Sequence, residues 1–115
     1  MSADCLFCKI AAGEIPSDEV YSDGEFHAFR DINPGAPAHI LIVPRKHIAR
    51  IVEAGEEDAA LLGRMLLRAN AIAEQEDLVE EGFRYVINCN EHGGQTVFHL
   101  HLHILGGRRL TWPPG

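Results

Sequence analysis

Cysteine, basic charge and long apolar runs are all scarce in this chain, and each shortage removes a class of protein. Three cysteines, Cys5, Cys8 and Cys89, are an odd number and too few for a disulfide-stapled secreted fold. Ten Lys and Arg stand against 17 Asp and Glu, a formal charge of −7. A protein that coats nucleic-acid backbones needs the opposite balance, so no nucleic-acid partner is expected. No stretch approaches the roughly 20 apolar residues that span a bilayer, and the first residues carry no apolar run of signal-peptide length. No membrane partner is expected either, and the cytoplasm is the expected location. With 115 residues the chain has room for one modest core and no second, so residues 1–115 are read as a single domain.

The hydrophobic pattern supplies the elements. Cys5 to Ala12 can form a short helical turn, stopped by Gly13 and Pro16. Val20-Tyr21 and Phe26 to Phe29 read as two short strands around the turn Ser22-Asp23-Gly24-Glu25. Asp31 to Pro37 holds two prolines and a glycine in seven residues, which breaks any ladder or helix and makes a loop. His39 to Pro44 has the β-branched density of a strand buried on both faces, in the middle of a sheet. Glu56 to Glu76 is the long helix, with Leu61, Leu62, Met65, Leu66, Ala69, Ile72 and Ala73 as its apolar face. Phe83 to Asn88 is a strand that feeds the loop Cys89 to Thr96 and pairs with the strand after it. The fold class is therefore α+β, an antiparallel sheet of about five strands with one long and one short helix packed on it.

The last strand carries the chemistry. His99-Leu100-His101-Leu102-His103-Ile104-Leu105 alternates imidazole and aliphatic side chains, so the three histidines share one face about 7 Å apart. Just upstream, Gly93-Gly94-Gln95-Thr96 forms a turn that a ligand can approach closely, with successive N–H groups suited to an anion. Attack on phosphorus needs a neutral imidazole nitrogen aimed in line with the leaving group, and His101, flanked by the other two, is the best placed. Charge growing on the phosphate oxygens would meet the Thr96 hydroxyl and N–H, the Gln95 side chain and His103. The competing readings are a wet sheet face that happens to be polar and a metal site, since His-x-His pairs on strands are common ligands. Cys5-Leu-Phe-Cys8 leaves redox, metal and incidental roles open. Asp31 is either a turn-former or a ligand for a ribose diol. His27 and His92 are read as surface residues, and Cys89 as a small buried hydrophobe.

The run HLHLHIL after GGQT, followed by Gly106-Gly107 and a terminal Trp112-Pro113-Pro114-Gly115, resembles the histidine triad (HIT) family and within it the Hint branch. FCKIAAGEIP near the start and DINPGAPAHILIVPRKH in the middle extend the resemblance along nearly the whole chain. It implies a hydrolase of purine nucleoside 5′-monophosphoramidates that acts on AMP- and GMP-type substrates through a covalent nucleotidyl intermediate on His101. A non-catalytic nucleotide-binding adaptor and a dinucleotide-polyphosphate hydrolase are the alternatives. Phe7, Phe29, Ile32 and Leu41 match positions that wall a purine pocket, Asp31 matches the ribose ligand, and Asn88 a polar contact near sugar and phosphate. Gly94, Gln95 and Thr96 fall on the phosphate turn, Thr96 where the family most often has serine. His39 would support the triad by hydrogen bonding from the neighbouring strand. Several relatives hold a structural zinc at positions that here are Cys5, Cys8, His47 and His99. The resemblance further implies a homodimer with sheets joined across it and tail residues 108–115 reaching the partner, Trp112 on the leaving-group side.

Overall fold

The computed structural model describes residues 4–115. In chain order the elements are α1 (Leu6–Ala11), β1 (Glu19–Ser22), β2 (Phe26–Arg30), β3 (Ala38–Pro44), α2 (Ala59–Gln75), β4 (Phe83–Val86), α3 (Asn90–Gly93) and β5 (Leu102–Gly106). One five-stranded sheet runs β1-β2-β3-β5-β4, with every neighbouring pair antiparallel. The strand with the most β-branched sequence, β3, occupies the centre, and β4 is left as an edge. No helix among the described residues is long and apolar enough to cross a membrane.

Side chains that alternate along the strands build two separate apolar layers. Phe26, Ala28, Ile40, Ile42, Leu102 and Ile104 face α2 and pack with Met65, Ala69, Ile72 and Ala73. Phe29, Leu41 and Val43, one residue out of step, face the other way and pack with Cys5, Phe7 and Ile10 of the N-terminal segment. That period of two explains why β3 is apolar at every position from Ile40 to Pro44. Each fully buried Ile contributes roughly 1.5–3 kcal/mol, so the α2 layer carries most of the stability and leaves the other face available for chemistry.

Several boundaries differ from the sequence expectation for identifiable reasons. The long helix begins at Ala59, after a 3₁₀ turn over Glu56–Asp58 in which the Asp58 carboxylate accepts from Gly55 N. Leu66 is 44 % exposed and does not belong to the buried stripe. At about 100° per residue it falls on the margin of the arc centred on Met65, Ala69 and Ile72. The strand expected from His99 starts only at Leu102, because Leu100 N donates to Ile48 O instead of joining a ladder. β4 correspondingly stops at Val86, opposite His103. The loop after it contains the one-turn α3, whose C-cap Gly94 sits at φ +85°. That stop signal was present in the sequence as Gly-Gly.

Candidate active site

The α1 face of the sheet collects the chemistry. His101 is buried, with the Phe7 ring edge-on at 5.0 Å, and its Nδ1–H donates to the His99 carbonyl at 2.7 Å. This bond fixes the tautomer and leaves Nε2 with a free lone pair. His103 receives its orientation from a chain of hydrogen bonds that starts in the Pro-Gly loop. Gly35 N–H donates to His39 Nδ1 at 2.9 Å, so the His39 hydrogen lies on Nε2 and is donated to His103 Nδ1, again at 2.9 Å. The remaining His103 hydrogen is then on Nε2, beside the Asn88 amide at 3.5 Å. A nucleophilic nitrogen and a donor nitrogen thus stand next to each other, on rings 5.0 Å apart.

Asp31 takes the turn-forming role. Oδ1 accepts from Asn33 N at 2.9 Å, forming the turn, while Oδ2 lies 3.4 Å from His39 Nε2. Phe7, Phe29 and Leu41 come together in the apolar layer, with the two phenyl rings at 5.4 Å. Ile32 does not join them, since it is 91 % exposed. Thr96 is exposed on the turn after Gly94. The Gln95 side chain, expected as a phosphate donor, is spent within the protein: Nε2 donates to Ala49 O and Val97 O while Oε1 accepts from Asn90 N. Its contribution is to hold the turn in shape. Trp112 is 80 % exposed, its ring against the Arg84 guanidinium on the edge strand.

His99 turns to a second cluster. Its Nε2–H donates to Pro44 O at 2.7 Å, leaving Nδ1 unprotonated at 3.2 Å from Cys5 Sγ and 3.4 Å from Cys8 Sγ. His47 Nδ1 approaches Cys8 Sγ at 3.4 Å and His99 Nδ1 at 3.2 Å. The four ligand atoms of Cys5, Cys8, His47 and His99 lie within 4.8 Å of one another, a donor set suited to a tetrahedral Cys₂His₂ ion. Cys8 N donates to Cys5 Sγ at 3.3 Å. Burial and the neighbouring Cys5 push the Cys8 thiol up to about 11. A divalent cation is what would reverse that, and two sulfurs plus two imidazole lone pairs converging on one point fit it.

Of three other residues, two differ from expectation. His27 is buried on β2, Cys89 is half-buried, and His92 is exposed as read.

Burial lowers the pKa of His39, His101 and His103 below 6.5, that of His103 to about 4, with its imidazole neighbours adding to the shift. All three are neutral at pH 7, as a nucleophile and a paired donor require. Between pH 6.5 and about 4 the unfolded chain binds more protons than the folded one, so stability is retained above 6.5 and lost on acidification. The midpoint of urea unfolding is expected to fall steadily over that window, and to fall less in His103→Asn. An unfolding midpoint that is flat from pH 7 to 4.5 would contradict the assignment of neutral rings.

The sequence matches the family model described as HIT domain over residues 12–110. The chain belongs to the HIT family. An uncharacterised HIT-like protein of Synechococcus elongatus is 56 % identical to this HIT protein over the full length of both chains. The purine nucleoside phosphoramidase of Escherichia coli is 50 % identical over 96 % of this chain and 92 % of its own. Among solved structures, a HIT family hydrolase of Legionella pneumophila superposes with a TM-score of 0.96 at 55 % identity, covering 97 % of this chain and all of that one. The five-stranded sheet with one long helix is thus the HIT fold.

Proposed function

We propose that this HIT protein is a purine nucleoside phosphoramidase, a hydrolase of the P–N bond in nucleoside 5′-monophosphoramidates. The observation that carries the reading is the His101 Nδ1–H bond to the His99 carbonyl, which leaves Nε2 as a neutral nucleophile next to the His103 ring. The E. coli relative bears that activity in its name, at 50 % identity.

In the proposed course His101 Nε2 attacks phosphorus, an Nε2–P bond forms and the P–N bond breaks. The amine departs after taking up one proton, beside the Thr96 hydroxyl. Positive charge on the substituted imidazole is met by the His99 carbonyl at Nδ1–H. His103 Nε2–H and the Thr96 N–H donate to the phosphate oxygens, while the Gly94 N–H is spent on Glu91 O and shapes the turn; this is the kind of preorganised donor set that usually makes the largest contribution. Water then attacks the phosphorus, the Nε2–P bond breaks, and nucleoside monophosphate and a proton are released. Phe7, Phe29 and Leu41 take the base, with Ile32 closing over it, and Asp31 accepts from the ribose hydroxyls. Asn88 and the Gln95-braced turn hold the sugar-phosphate end. Cys5, Cys8, His47 and His99 would hold a structural zinc, which supplies a cross-link and no step of the reaction. Catalysis needs no other cofactor.

The active form in this reading is a homodimer. β4 ends the sheet as an unpaired edge, and Leu66 and Leu67 of α2 are 44 % and 60 % exposed. Pairing two β4 strands would join the sheets and bring residues 108–115, with Trp112, toward the partner's leaving-group side. Purified protein given a fluorogenic adenosine phosphoramidate is expected to turn it over and to leave diadenosine polyphosphates almost untouched. Binding without turnover would favour an adaptor, and faster cleavage of the dinucleotides a different branch chemistry.

A further inference from the structure

His27 is a buried polar side chain on this face that neither the reaction nor the metal cluster uses. It is 4 % exposed, and its Nδ1 is buried with no hydrogen-bond partner among the described residues. Its Nε2 lies 3.3 Å from Ser17 Oγ, and Glu19 Oε1 is 3.8 Å from Nδ1, too far for a hydrogen bond. An unpaired polar atom at such burial costs free energy, and a native fold that keeps one has a use for it.

The position of the ring suggests the use. His27 and Phe29 lie on the same face of β2, opposite Val43 and Leu41 of β3, so His27 extends the apolar layer that holds Phe7 and Phe29. Ring centroids run His101 to Phe7 at 5.0 Å, Phe7 to Phe29 at 5.4 Å, and Phe29 to His27 at 5.7 Å. A nucleotide with its phosphorus at His101 and its base against Phe7 and Phe29 therefore points the far edge of the base toward His27. A cavity of about 250 Å³ opens there, lined by Ile10, Ile15, Ser17, Glu19 and His27 among others. That is below the roughly 300–1,000 Å³ of a pocket for a whole ligand, and suits a fragment such as a base edge.

The groups around the ring decide the sense of the contact. Ser17 can donate its hydroxyl hydrogen to Nε2, and the Glu19 carboxylate on the other side favours the imidazole hydrogen on Nδ1. Nδ1–H is then an unspent donor. A 6-oxo group would accept from it, whereas a 6-amino group would set donor against donor and leave both unpaired. Resting on the reading of this site as a purine nucleotide site, we propose that His27, positioned by Ser17 and Glu19, closes the base slot and selects 6-oxopurine over 6-aminopurine nucleotides.

Calorimetric titration of GMP, IMP and AMP at pH 8 into wild type, His27→Leu and His27→Asn tests this without requiring turnover. Failure of the hydrolysis assay and failure of base selection are therefore separate results. Wild type is expected to bind GMP and IMP about tenfold more tightly than AMP, the scale of one hydrogen bond. His27→Leu should bring the three dissociation constants together, and His27→Asn, which restores a donor, should recover part of the difference. Thermal melts of both variants establish that they fold. Equal binding of the three nucleotides by wild type overturns the proposal, as does a preference that survives in folded His27→Leu. Tight GMP with weak IMP also overturns it, because discrimination would then lie at the 2-amino group, and so does the absence of any binding.

Discussion

Replacing His101 with alanine is expected to lower single-turnover cleavage of a nucleoside phosphoramidate by about 10⁴-fold or more, the scale seen when a covalent nucleophile is removed. Binding of the product nucleotide should change by no more than a few fold, since the base meets Phe7, Phe29 and Leu41 and the ribose meets Asp31. Alanine also removes a buried ring that Phe7 packs against at 5.0 Å, so a melt must accompany the kinetics. His101→Asn is the sharper variant, because an amide retains a donor toward the His99 carbonyl yet offers no nucleophile of comparable strength. In wild type, rapid acid quench should trap a protein mass increased by one nucleotidyl group. Neither variant should show that adduct. A His101→Asn protein that folds and retains more than about a tenth of wild-type turnover would end the covalent reading.

How much of this was legible beforehand differs between backbone and side chains. The central place of β3 followed from its uninterrupted apolar run, and the opposed layers followed from alternation in β2, β3 and β5. The histidine strand was readable as a site because imidazoles at every second position have no packing rationale. What could not be read was which partner each polar atom takes. Gln95 lies in the phosphate turn by sequence, yet its amide is consumed by Ala49 and Val97, the first of which is 46 residues away. His27 has Phe on one side and Ala on the other, and nothing local distinguishes a surface imidazole there from a buried one. Its burial comes from α1 and the Ile15–Ser17 segment folding over β2. Leu66 was assigned to the core because spacings of three and four cover a wider arc than the sheet does. Each of these errors concerns tertiary contacts, and tertiary contacts decide hydrogen-bond partners.

Removal of the metal is expected to act on stability first and on the reaction second. Cys5 and Cys8 sit at the start of the chain, His47 lies 39 residues beyond Cys8, and His99 lies 94 beyond Cys5. An ion shared by the four closes loops of those lengths, and a cross-link of that span stabilises by about 4–5 kcal/mol in the loop-entropy picture. For a domain of this size that corresponds to roughly 15–25 °C in melting temperature. The α2 layer shares no residue with the cluster, so the protein should remain folded without the ion, unlike a zinc finger. Tag-free protein is expected to contain close to one zinc per chain, and a chelator or Cys8→Ser should each produce the full loss of melting temperature. The chelator should then do nothing further to Cys8→Ser, which separates loss of the ion from a general effect of either treatment. Turnover should fall less steeply than stability, because His99 serves both clusters through different atoms: Nδ1 faces the sulfurs, and the carbonyl holds His101. A metal content near zero in protein that melts normally would remove these four residues from any ligand list and leave Cys5 and Cys8 as packed thiols.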